Sequence, residues 1–71
     1  MNVVKLKSAI GQKVFVVMEH EGVRNHEYGR LLYVVEPNRI DIKSPNCITS
    51  VPFDLILIVY NKEGLVVYER N

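Results

Sequence analysis

This sequence predicts a small, mainly β fold, on three observations. Runs rich in β-branched and aromatic residues recur along the chain: KVFVVM from Lys13, RLLYVV from Arg30 and LILIVY from Leu55. Turn-forming residues separate the runs at short intervals, at Pro37-Asn38, Ser44-Pro45-Asn46 and Asn61 to Gly64. Between two of these turns, Ile40-Asp41-Ile42-Lys43 alternates apolar and polar side chains as a half-exposed strand does.

Seventy-one residues suffice for one domain, residues 1–71. A chain of this size removes only about 60% of its unfolded surface from water, so its stability margin is thin and partner subunits commonly help. The lone Cys47 excludes an intramolecular disulfide and fits a reducing compartment. The longest apolar stretch, Leu55 to Tyr60, is too short for a membrane helix, and the first residues lack the pattern of a secretion signal. A cytoplasmic location away from membranes is the expectation. The net charge is +1, with Lys5, Lys7 and Lys13 preceding the first acid, Glu19. That excess is much smaller than a dedicated nucleic-acid-binding protein of this size carries.

In chain order, Val3, Leu6 and Ile10 stand at helical spacing before Gly11 and predict a short N-terminal helical turn. Lys13 to Met18 then reads as a strand covered on both faces. Glu19 to Gly29 is the longest polar stretch and contains Gly22, Asn25 and Gly29, so it reads as a mobile loop or distorted hairpin. Arg30 to Val35 is the next strand, and Glu36-Pro37-Asn38-Arg39 has the composition of a type I turn. Ile40 to Lys43 follows, with both isoleucines on the core face and Asp41 toward solvent. Ile48 to Val51 is a short strand stopped by Pro52, and Pro52-Phe53-Asp54 forms a tight or 3₁₀ link with Phe53 as a core plug and Asp54 as a cap. A final hairpin pairs Leu57 to Tyr60 with Leu65 to Glu69, with Gly64 at the positive-φ position of its turn. Five to six such strands joined by short turns predict an SH3-like or Sm-like barrel, because closure hides sheet edges.

The run G-x-L, I-D-I and I-x-x-V-P-F-D-x-I, from Gly29 to Ile56, resembles the core of the YolD-like family, small β proteins of Gram-positive bacteria and their phages. The resemblance covers under half of the chain, which lacks the family's N-terminal region and ends in an extra hairpin. It implies a small β fold in a bacterial or phage setting and implies no activity. A looser likeness to Sm-fold proteins extends to the fold and not to their RNA-contacting motifs.

Several groupings carry chemistry on paper. His20, Glu21, His26 and Glu27 share one polar stretch, but the spacing of the histidines matches no common structural-zinc pattern, so no metal or cofactor is assigned. Cys47 has no base nearby in sequence and reads as an inert or buried thiol. Asp41 and Asp54 read as a strand residue and a cap rather than a catalytic pair. With no phosphate loop, dinucleotide fingerprint or nucleophile elbow, the expectation is a protein that is not an enzyme.

Two binding readings remain. The first is a self-associating bacterial or phage accessory or inhibitor-type factor that works by protein–protein contact. A small barrel has only one interior, whereas three segments are apolar on both faces, so outward side chains such as Leu32, Val34, Ile58, Tyr60, Val66 and Tyr68 need a partner. Edge pairing through Leu65 to Glu69, with Ile58, Tyr60, Val66 and Tyr68 in the contact, would give the homo-oligomer. Glu19, His20, Glu21, Arg24, His26 and Tyr28 would face a cognate or host protein. The second is a nucleic-acid-binding barrel using Lys5, Lys7, Lys13, Arg24, Arg30 and Arg39, with Lys43, Tyr28 and Tyr33 nearby. The interleaved Glu19, Glu21, Glu27 and Glu36 oppose that reading by cancelling the field that attracts phosphate.

Overall fold

Leu6, Lys5, Lys7 and Ala9 favour helix, and the chain opens with α1, Val4–Ser8, in a computed structural model that describes residues 2–70. Val3, Leu6 and Ala9 turn one apolar stripe onto the core, whereas Ile10 is exposed. The buried stripe therefore ends at Ala9, one residue short of the expected Ile10. Gly11 then takes a φ of +90° and donates to the Leu31 carbonyl at 2.8 Å, turning the chain into the sheet.

Strand β1, Lys13–His20, and strand β2, Val23–Val35, form a long hairpin. Glu21 and Gly22 have φ values of 52° and 79°, so both central residues occupy the left-handed region, as the primed turns of two-residue hairpins require. Pairing runs without interruption from His20 opposite Val23 to Lys13 opposite Arg30. Of the two readings of Glu19 to Gly29, a mobile loop or a distorted hairpin, the loop is overturned and the hairpin is present with a regular register. Its polar side chains decorate a regular two-stranded arm, and polarity reflects exposure there rather than absence of strand.

β3, Arg39–Lys43, pairs with the second half of β2, with an irregularity between Leu31 and Tyr33 that leaves Leu32 unpaired. Gly29 lies hard against the end of β3: a Cβ there would lie 2.5 Å from the Lys43 carbonyl oxygen. The connecting turn spans Val35 to Asn38, closed by the Asn38 N–H donating to the Val35 carbonyl at 2.8 Å, with a cis Glu36–Pro37 bond. Proline thus sits at the third position of a turn that begins one residue earlier than the expected type I turn. β4, Ile48–Pro52, a 3₁₀ turn, Phe53–Leu55, β5, Ile56–Tyr60, and β6, Val66–Glu69, complete the chain. Gly64 has a φ of 84°, and the Asn61 side-chain oxygen accepts from the N–H groups of Glu63 and Leu65 at 3.0 and 2.9 Å.

The six strands form one antiparallel sheet in the order β4-β3-β2-β1-β5-β6. Among the described residues no pairing joins β4 to β6, so the sheet is open at both edges. The inner face nevertheless makes a single core: Val14, Val16, Leu31, Ile40, Ile42, Val51, Ile56 and Val59 meet beneath Leu6 and Phe53. Phe53 is the expected plug, and its ring stands edge-on to Tyr68 at 5.4 Å. Tyr68 and Val34 therefore pack against the core rather than facing outward, and Leu32 is half-buried. Much of the surplus apolar surface is absorbed within the chain because the sheet bends around one core. No helix among the described residues is long and apolar enough to cross a membrane.

Candidate functional site

Alternation along β1 places Lys13, Phe15, Val17 and Glu19 on the face opposite the core, and the uninterrupted hairpin register places Arg30, Tyr28, His26 and Arg24 beside them in turn. Phe15 also stands opposite Tyr60, and Val17 opposite Ile58, on β5. The outer face thus carries one transverse row of aromatic rings, Tyr28, Phe15 and Tyr60, across β2, β1 and β5. Phe15 lies 6.4 Å from Tyr60 between ring centroids and stacks on His26 at 5.2 Å. Phe15 was not among the residues that sequence reasoning singled out, although its place two residues from Lys13 puts it on the same face.

The next row, about 7 Å along the strands, is cationic. Lys13 faces Arg30 across β1 and β2, and Arg30 faces Lys43 across β2 and β3. A shallow groove of about 360 Å³ runs over this row, lined also by Tyr28, Ser44 and Pro45. Lys13 Nζ stands 6.0 Å from the Tyr28 ring centre, and Arg30 Nη1 donates to the Gly11 carbonyl at 3.0 Å. Among the described residues none of the three cations enters an ion pair.

Several of the other charges are committed. Glu19 is shared by Arg24 at 3.1 Å and Arg70 at 3.3 Å, Glu36 pairs with Lys7, and His20 stands 3.8 Å from Glu21 at the hairpin tip. Arg39 Nε donates to Asp41 Oδ1 at 3.1 Å, and the Ser50 hydroxyl donates to the same oxygen at 2.7 Å. Asp41 is consequently buried beneath these neighbours, which corrects its expected solvent-facing position. The Ser50 hydroxyl holds its carboxyl below the usual aspartate range; burial opposes this, and the Arg39 guanidinium adds to it.

The remaining sequence candidates separate. His20 lies on the inner-face side of the arm and His26 on the outer, so the histidines do not share a site. No three His, Cys, Asp or Glu side chains gather as a metal site among the described residues. Cys47 is exposed, not buried, in the β3–β4 turn, with its sulfur 3.4 Å from Ser44 Oγ. Asp54 is exposed and, among the described residues, makes no capping bond; its backbone carbonyl instead accepts from Arg70 at 3.0 Å.

A second groove, of about 470 Å³, lies between α1 and the edge strand β6. Exposed Val4 (74%) and Val66 (42%) line it together with Lys5 and Glu69. Val66 was expected at a contact surface. Glu69 lay within the expected edge pairing of Leu65 to Glu69, whereas Val4 and Lys5 were not placed there, because only the docking of α1 against β6 brings them to it. Comparison with protein-family models, curated proteins and solved structures found no match to this chain.

Proposed function

We propose that this protein is a non-enzymatic binding domain that self-associates through β6 and acts by protein contact, as an accessory factor in the bacterial or phage setting that the YolD-like resemblance implies. On this reading its curled sheet is an SH3-like or Sm-like half-barrel whose last strand stays free for pairing. The observation that carries the reading is the groove beside β6.

The two edges differ. β4 ends in Pro52, which blunts it against strand addition, whereas β6 carries neither proline nor lysine and exposes Val66 next to Val4. Lys5 and Glu69 line that groove with opposite charges, and neither is ion-paired among the described residues. A two-fold contact repeats every interaction, so antiparallel β6–β6 pairing favours Lys5 of one copy meeting Glu69 of the other. Ile58 and Tyr60 lie on the outer face and take no part in this contact. Tyr68 supports it from beneath through Phe53.

Charge exchange tests the reading. Lys5→Glu and Glu69→Lys should each shift the protein toward monomer in sedimentation velocity, and an equimolar mixture of the two should recover dimer. Failure of the mixture to recover it, or a wild-type protein monomeric at high micromolar concentration, would count against β6 self-pairing.

A further inference from the structure

We propose that the outer face of β1, β2 and β3 binds single-stranded nucleic acid, its phosphates along the Lys13–Arg30–Lys43 row and its bases on the neighbouring aromatic row. This goes beyond the self-association reading and uses a different surface.

Three like charges opposite one another on adjacent strands destabilise a sheet unless something negative offsets them. Here the offset is missing within the described residues, while nearby carboxylates are engaged elsewhere: Glu19 by Arg24 and Arg70, Glu36 by Lys7, Asp41 by Arg39 and Ser50. Of the acids that cancel the basic field when read along the sequence, Glu19 and Glu36 are held by other cations, Glu21 sits at the hairpin tip, and Glu27, opposite Val16, lies on the inner-face side of the arm, away from this row. The same sorting removes Lys7, Arg24 and Arg39 from the expected nucleic-acid contacts, Lys5 lies apart in the groove beside β6, and Lys13, Arg30 and Lys43 remain together. Gly29 fixes the geometry, since the close approach of β3 to β2 that it permits brings Lys43 beside Arg30.

The aromatic row selects the class of anion. A free phosphate or an acidic peptide would use the cations and leave the rings idle. A flexible single strand uses both, because a base stacks on any exposed π face while its phosphate meets a neighbouring cation. Tyr28 is the ring best placed for this, 56% exposed and lining the same groove as the three cations. A duplex keeps its base faces stacked inside and cannot use the rings.

Fluorescence anisotropy with labelled oligothymidylate and oligouridylate of about 12 nucleotides, within the site sizes that small β domains cover, reads this directly. Three neutralised phosphates predict log–log salt dependence with a slope of about −2. Arg30→Gln and Lys43→Gln should each weaken binding and flatten the slope by about 0.7. Tyr28→Leu should weaken binding roughly fivefold or more at unchanged slope, whereas Arg24→Gln, already engaged by Glu19, should leave both intact. All four positions are exposed, and matching thermal melts would show that the variants remain folded. The proposal is overturned by a wild type that binds neither strand at low salt. Equal affinity for polyglutamate or for duplex DNA also overturns it, as does an Arg24→Gln defect as large as that of Arg30→Gln.

Discussion

Ser50 donates a 2.7 Å hydrogen bond across β4 and β3 to Asp41, the one charged side chain in the buried set among the described residues. The bond favours the ionised carboxylate, so the folded pKa lies below the unfolded value of about 3.9. Stability from this source is complete above the unfolded pKa and is lost as pH falls through the folded one. The difference in unfolding free energy between wild type and Asp41→Asn should therefore be constant from about pH 7 to 5 and shrink below about pH 4. Urea titrations across that range measure it, and a difference that stays constant down to about pH 2 would contradict the assignment.

Gly29 should tolerate no side chain. A Cβ would stand 2.5 Å from the Lys43 carbonyl and 2.8 Å from Ile42 Cγ2, and one of these is backbone that cannot rotate away. Gly29→Ala should lose about 1–3 kcal/mol in urea unfolding, with β2–β3 amides exchanging faster than those of the Glu21-Gly22 hairpin end.

Leu6 is fully buried and anchors α1 over the sheet. Leu6→Ala should cost about 2–5 kcal/mol, a large share of what a domain this small can hold. Because α1 also forms one wall of the β6 groove, the same variant should weaken self-association even where it remains folded.

Cys47 lies exposed at the β3–β4 turn. In the native protein without denaturant, one thiol per chain should react with a small disulfide reagent as readily as in urea, and a large protection factor would contradict its placement.

The strands themselves were legible from β-branched runs and turn residues, and Phe53 and Gly64 stand where their sequence neighbours imply. The β1–β2 arm was hidden because polar residues such as Asn25, His26 and Glu27 weaken a strand signal that rests on burial. Yet the two-residue turn at Glu21-Gly22 alone fixes its register. Once that turn is recognised, Lys13 opposite Arg30 and Phe15 opposite Tyr28 follow by counting outward. Other relationships lie beyond counting. The Lys43 partnership depends on where β2 pauses around Leu32, and the burial of Asp41 depends on Arg39 folding over it. The groove of Val4, Lys5, Val66 and Glu69 joins the two ends of the chain, and only tertiary packing brings them together.

The central claim, that β6 is an open edge completed by a second copy, is tested most directly by hydrogen exchange at two protein concentrations. Backbone amides of Val66 to Glu69 should gain protection as the protein is concentrated, while those of Ile48 to Val51 on the opposite edge stay unchanged. Exchange at β6 that is independent of concentration, or protection gained at β4 instead, would contradict the account.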